Sequence, residues 1–496
     1  MKEITYRSTR GGEAGISASA AILQGLAGDG GLFVPEHMPA LEKSMDELKR
    51  LDYRTLAFEI MGLFFTDFTD EELKSCIERA YDEKFDCAEI APLAEADGRF
   101  FLELFHGKTI AFKDMALSIL PHLMTTAAKK NGVKDEIVIL TATSGDTGKA
   151  ALAGFSKVPG TRIIVFYPKD GVSAVQKQQM VTQEGENTFV VGINGNFDEA
   201  QTGVKKMFSD EALKEKLSAG GFRFSSANSI NIGRLVPQIV YYFWAYLTML
   251  RNGVIGDGEK INVCVPTGNF GNILAAYYAK TLGLPIRKLI CASNRNKVLY
   301  DFFGTGTYNK NREFYLTSSP SMDILVSSNL ERLIYVIADG NTEETKALMT
   351  ALGKSGSYEV TPEMRSKLSD FYGGFADEEE TAAEIREVYE KASYVIDPHT
   401  AVASGVYRKY VSETKDETKT VIASTASPYK FTESVMKALG EEITGQDVFA
   451  LSDRLSALSN VPVPSAVTEL KDAPVRHKTI CEIDEMPKTV LGFLGI

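Results

Sequence analysis

Lys113 lies in "HGKTIAFKDM", His106 to Met115, behind Ile110, Ala111 and Phe112 and ahead of Met115, Ala116, Leu117, Ile119 and Leu120. An ammonium group carried into apolar surroundings loses solvation, so its pKa falls and a neutral, nucleophilic amine becomes available. That is the chemistry of a lysine that forms a Schiff base with a carbonyl compound. A lone lysine can also snorkel from a helix surface, and this segment alone leaves both readings open.

Two other stretches could hold anions. "VPTGNFGN", Val265 to Asn272, lies between the strand-like "INVCV" and the helix-like "ILAAYYAK". Gly268 and Gly271 let the backbone approach an anion, and the helix start offers free N–H groups and a positive dipole end. The stretch has no lysine–serine pair and no G-x-G-x-x-G, so it suits one phosphate group better than a triphosphate; a plain strand–helix turn stays open. "TATSGDTGKAAL", Thr141 to Leu152, repeats the placement, with Ser144, Gly145 and Thr147 as donors. Asp146 is awkward for an anion site, and a capping role is equally open. Two cradles imply two anionic groups near one reacting centre, beyond the carboxyl ends of strands. An amine for an aldehyde and a glycine loop for a monophosphate together point to pyridoxal phosphate. In "TVIASTASPYKF", Ser424 and Thr425 could offer its ring nitrogen a hydroxyl, or simply form a strand-end turn.

These residues need a scaffold, and the chain supplies an alternating one. Phe100 to Leu104, "EIVILTA", "RIIVFYP", "NTFVVGI", "KINVCVP", "IRKLICAS" and "KTVIAST" read as strands separated by helical patterns. Continuous apolar strands alternating with helices imply mostly parallel sheets covered on both faces, an α/β fold. The first hundred residues are partly helical; "TDEELKSCIERAYDE" has Thr69 and Glu72 at capping-box spacing. From about 342 to 391 the chain reads as helical and poor in strands, with the acid run of "ADEEETAAEIREVYEKA" on a solvated helix face. "IVYYFWAYLTML", Ile239 to Leu250, is too short to span a bilayer and reads as a buried helix.

The 496 residues imply two or three domains. A net charge of −12 argues against a general nucleic-acid binder, although a local pocket can still hold small anions. The five cysteines form no C-x-x-C pair and the five histidines no H-x-x-x-H, so neither a disulfide framework nor a metal site is expected. The N-terminus has no apolar signal region, and a cytoplasmic location is expected.

At this point the chain resembles the threonine synthases. "HGKTIAFKDMAL" is similar to their lysine signature, "ATSGDTG" to their substrate loop, and "SSANSINIGRLVPQ", "VPTGNFGN", "DPHTAVA" and "STASPYKF" to later blocks. The resemblance runs from "YRSTRG" to Phe431 and carries nothing beyond it. It implies a pyridoxal-phosphate enzyme of fold type II with its site between two α/β domains. The expected division is an N-terminal region 1–98, a large cofactor domain of 99–120 and 236–496, and a smaller substrate-side domain of 121–235.

Lys113 matches the lysine that carries the cofactor; Gly268, Asn269, Phe270, Gly271 and Asn272 match the phosphate loop, and Thr425 the cofactor-contacting threonine. The implied reaction turns O-phospho-L-homoserine and water into L-threonine and phosphate, by a monomer or homodimer with no nucleic-acid or membrane partner. Ser144, Gly145, Asp146 and Thr147 are expected at the substrate's carboxylate end, and Arg234, Asn228, Asn231 and Lys108 at its phosphate. Arg234 as an ordinary ion-paired arginine stays open. Lys108 departs from the family's proline, "HGPT", so contact with the substrate or plain exposure are both open. A threonine or serine dehydratase, or a catalytically silent relative, are the alternatives.

Overall fold

The computed structural model describes residues 3–143, 145–169, 172 and 174–496. Each apolar run read as a strand is one. Tyr6–Ser8 with Phe33–Pro35 and Thr307–Asn309 with Ser357–Glu359 form separate antiparallel pairs, and the other strands sort into two sheets. The larger has the spatial order Phe371–Phe375, Ile286–Ser293, Ile261–Pro266, Thr420–Ser424, Arg99–Glu103, Leu93–Ala96. Its neighbours run parallel except for the final hairpin. The smaller runs Thr479–Cys481, Thr188–Ile193, Thr161–Pro168, Glu136–Ala142, Phe222–Ser225, parallel throughout.

Alternation along these strands feeds two cores at once. Val263, Val265 and Leu289 enter one cluster, while Cys264, Ile290 and Ile422 enter another on the opposite face. In the smaller sheet Ile137, Ile139 and Ile163 face the first cluster, and Val138, Leu140 and Ile164 a third. Helix Ile232–Arg251 is apolar nearly all round and buried from Ile232 to Met249, as a central helix must be. It starts before the apolar run that announced it and takes Pro237 inside. Among the described residues no helix is long and apolar enough to cross a membrane.

The N-terminal helix Tyr53–Gly62 packs beside helix Ile232–Arg251, and Asp70–Ala80, with the expected capping box of Thr69 and Glu72, packs on Tyr53–Gly62 and on helix Leu120–Lys130.

Three placements differ from the expected division. Thr479–Cys481 pairs with Thr188–Ile193, and helix Met486–Leu494 buries Met486, Val490 and Leu494 against the smaller sheet, so 236–496 does not stay with the larger one. The last segment covers a sheet edge that would otherwise be open. Leu93–Ala96 joins the larger sheet rather than the N-terminal region. Phe371–Phe375, in the stretch read as strand-poor, is an edge strand. Its two glycines lower β-propensity but are required by packing: a Cβ at Gly374 would stand 2.4 Å from Val406 Cγ1.

Candidate active site

The lysine loop leaves strand Arg99–Glu103 and enters the short helix Asp114–Leu117. Ile110 sits there at φ 50°, an uncommon conformation for a β-branched residue. Two sets of bonds hold it. The Asp114 carboxylate accepts from Thr109 N–H at 2.7 Å and Thr109 Oγ1 at 2.6 Å. A Cβ at Gly107 would stand 2.5 Å from Asp114 Cβ, which accounts for the glycine of "HG". On the other side the C-terminal block runs alongside. Phe112 N–H donates to Thr425 O at 2.8 Å, Ser427 N–H to Ile110 O at 3.0 Å, and Lys430 Nζ to Thr109 O at 2.7 Å. Lys113 and Thr425 are thereby neighbours, as their expected roles require.

Lys113 is 9% exposed. Its Nζ donates to Ser321 Oγ at 3.1 Å and stands 3.6 Å from Asp146 Oδ2. Asp146 also accepts from Ser321 Oγ at 2.8 Å and Gln176 Nε2 at 2.9 Å, and faces Lys430 Nζ at 3.4 Å. Burial pushes the Lys113 pKa down; Asp146 opposes this, while Lys430 and Arg234 reinforce it. Burial works against the Asp146 charge, but Lys430 and Lys113 outweigh it and hold the carboxyl far below its usual range.

Ser321 is itself fixed. Its N–H donates to His399 Nε2 at 3.1 Å, and His399 Nδ1 meets Asp397 Oδ2 at 2.7 Å. Because Nε2 accepts, Nδ1 carries the ring proton. Asp323 anchors the same loop by accepting from Asn294 at 2.8 Å, Asn296 at 2.9 Å and Thr317 Oγ1 at 2.7 Å. Sequence reasoning assigned no role to Ser321, His399 or Lys430. The last two lie in blocks that carry the family resemblance, which was the available signal; Ser321 had none.

The phosphate-type loop has the expected form. Strand Ile261–Pro266 ends, Phe270 turns at φ 63°, and helix Gly271–Thr281 begins. Asn329 fastens Asn269 by donating twice to its carbonyl, from N–H at 3.1 Å and Nδ2 at 2.9 Å. Ser327 Oγ donates to Gly268 O at 2.7 Å. Asn272 accepts from the Tyr242 hydroxyl, while its buried Nδ2 has no acceptor among the described residues. A buried amide donor left free at a helix start fits an incoming phosphate oxygen.

A second donor of this kind is Arg234. It is 4% exposed, donates through Nη1 to Ala227 O at 3.0 Å, and keeps a buried Nε without a partner among the described residues. Burial pushes its pKa down to about 10. The other expected substrate contacts divide. Gly145 and Thr147 open helix Asp146–Phe155, whereas Ser144 lies outside the described residues. Asn228 and Lys108 are exposed. Asn231 is committed to capping helix Ile232–Arg251: Nδ2 donates to Ile22 O at 2.9 Å and Oδ1 accepts from Gly233 N–H at 2.9 Å. Both ends of that amide are occupied, so it has little left for a phosphate.

Comparison with known proteins gives this geometry a context. The family described as "Threonine synthase N terminus" matches residues 5–81, "Pyridoxal-phosphate dependent enzyme" residues 87–426, and "Threonine synthase, C-terminal" residues 400–481. Threonine synthase of Schizosaccharomyces pombe is 38% identical over 88% of this chain and 90% of its own length. Human threonine synthase-like 1 is 42% identical over 85% of this chain but 58% of its own. The chain thus spans about three fifths of the length of the threonine synthase-like 1 proteins it matches. Among solved structures, PLP-bound threonine synthase from Brucella melitensis superposes with a TM-score of 0.87 at 33% identity, and the yeast enzyme with 0.88 at 31%, each over 99% of both chains. Relatives this similar over nearly their whole length, on the same fold and with matching families from residue 5 to residue 481, place the chain in the threonine synthase family of pyridoxal-phosphate-dependent enzymes.

Proposed function

We propose that the protein is a threonine synthase, converting O-phospho-L-homoserine and water to L-threonine and phosphate with pyridoxal 5'-phosphate as cofactor. The observation that carries this reading is a pair of buried side-chain donors without a partner among the described residues, one on the phosphate-type loop and one on the central helix. Asn272 Nδ2 suits the cofactor's phosphate, and Arg234 Nε suits a second one. A dehydratase acting on serine or threonine has no use for the second. The acidic chain and its five unpaired cysteines agree with a cytoplasmic enzyme that has no nucleic-acid or membrane partner.

When bound, the cofactor supplies an electron sink for negative charge developing on the substrate's carbon chain. The residues divide the remaining work. Gly268, Asn269, Phe270, Gly271 and Asn272 would hold the cofactor phosphate, and Thr425 would meet its ring nitrogen. Lys113 would hold the cofactor, and its Nζ is the base placed to remove the proton at the substrate's Cα. The same amine serves the loss of a proton at Cβ, which lets the γ-phosphate depart, and the return of a proton at Cγ. Water then adds at Cβ. Arg234 receives the substrate phosphate with a planar fork of donors, with Asn228 and Lys108 at the rim. The backbone N–H of Thr147, opening helix Asp146–Phe155, faces the substrate carboxylate, while that of Gly145 is already given to Thr143 Oγ1 at 2.9 Å.

The test is Lys113→Ala, with visible absorption after cofactor addition and phosphate release measured on one preparation. The variant is expected to lose both the lysine-linked absorption band and turnover, while the native enzyme releases phosphate from phosphohomoserine and leaves serine and threonine untouched. Retained turnover in the variant overturns the assignment.

A further inference from the structure

We propose that Asp146 is the counter-ion of the Lys113 amine, oriented by Ser321 and shared with Lys430, rather than a contact for the substrate's carboxylate; this rests on the threonine synthase reading of the site.

A carboxylate in a subsite for another carboxylate repels its ligand. Asp146 escapes that conflict because its acceptors are already taken, all by donors. Oδ1 accepts from Gln176 Nε2 at 2.9 Å and faces Lys430 Nζ at 3.4 Å. Oδ2 accepts from Ser321 Oγ at 2.8 Å and faces Lys113 Nζ at 3.6 Å. The direction of the Ser321 bond is fixed, since an ionised carboxylate can only accept. Ser321 Oγ therefore has its lone pairs free for Lys113 Nζ, which donates to it at 3.1 Å. The hydroxyl is a spacer that aims the amine at the carboxylate. Its own place is set by His399, backed by Asp397, and by the bonds of Asp323.

Lys430 makes the arrangement adjustable. It is buried, keeps a bond to Thr109 O at 2.7 Å, and competes with Lys113 for one carboxylate. The charged groups facing Lys113 come from three elements: Asp146 from the helix of the smaller sheet, Lys430 from the C-terminal block, and Arg234 from the central helix. His399 reaches Asp146 through Ser321. Asp114, a second carboxylate beside Lys430, is bonded to Thr109, so Asp146 is the anion in ion-pair reach of Lys113, and it keeps a proton available on a buried amine without binding it permanently. Asp146 is also the group by which the smaller sheet reaches Lys113, so the pair draws the two units together across the site.

The test reads the amine directly. In the full chain before cofactor addition, trace labelling with an amine-acylating reagent across the neutral and alkaline range gives a midpoint for the Lys113 peptide by mass spectrometry. Asp146→Asn, which keeps the side-chain shape, is expected to lower that midpoint by about one pH unit or more. Lys430→Gln, which removes the charge, is expected to raise it. In the holoenzyme Asp146→Asn is expected to lower kcat at least about tenfold, with KM for phosphohomoserine unchanged and the kcat profile moved to lower pH. Unchanged midpoints in both variants overturn the proposal. So does a KM raised about tenfold at constant kcat, the signature of a substrate contact. If Asp146→Asn does not fold, Lys430→Gln alone decides, and absence of the upward shift is the overturning result. A native enzyme inactive on phosphohomoserine defeats the activity reading but leaves the midpoints to be read, so the two failures are distinct.

Discussion

Arg234 shows what burial does to a cation with an unfinished set of partners. Nη1 has a backbone carbonyl, Nε has no partner among the described residues, and the residue is 4% exposed. Leaving such a donor unpaired is costly unless a ligand completes it. Arg234→Gln is therefore expected to raise KM for phosphohomoserine by roughly 10- to 100-fold, the worth of a charge-assisted bond, with cofactor absorption intact. Steady-state kinetics with inorganic phosphate as competitor checks it, since the variant should also lose phosphate inhibition. Asn231 gives the opposite lesson three residues earlier. Its type suits phosphate, but its amide caps the helix that carries Arg234. Residue identity was legible in both cases; which polar atoms remained free was not.

At the scale of elements, the site is assembled by loops that touch backbone to backbone. A Cβ at Gly268 would stand 2.6 Å from Ser321 O and 3.3 Å from Met322 Cα. The phosphate-type loop thus rests directly on the loop that holds Ser321. Gly268→Ala must push one of them away, and Ser321 is bonded to Lys113 and Asp146. We expect weaker cofactor retention and a lower kcat together, in contrast to the KM effect of Arg234→Gln. Titration of the visible band with added cofactor, beside phosphate release, separates the two. The strand–loop–helix placement of this loop could be read from "INVCVPTGNFGN", because glycines between a β-branched run and a helical pattern have few other uses. Its neighbour could not be, since "SSPSMD" lies 50 residues on and has no period of its own.

At the scale of the whole molecule, the chain begins and ends by bracing other parts of itself. Arg332, fully buried, donates through Nε to Phe33 O at 2.9 Å and also reaches Asn329 and Ile230 O, linking the N-terminal strand pair to the residue that fastens Asn269 and to the segment that leads into the central helix. The last helix fills the core of the smaller sheet with Met486, 0% exposed. Met486→Ala is expected to cost about 2–5 kcal/mol in the stability of that unit, by lost burial and the cavity left behind. Denaturant unfolding of native and variant protein measures it, and a change below about 0.5 kcal/mol contradicts the role given to the C-terminal segment.

By itself the sequence determined the α/β class, the strands, the lysine and both helix-start loops. Each of these is local: periodicity, β-branched runs and glycines act within a few residues of one another. Pairing partners were decided only in three dimensions. Thr479–Cys481 crosses back to a strand nearly 300 residues earlier, and "FYGGF" becomes a strand because its glycines fit against Val406 and Tyr300. Asp146 was visible as an oddity in "SGDTG", but its partners come from positions 113, 176, 321 and 430. A carboxylate's role depends on which charges surround it, and that is a property of distances no linear pattern contains.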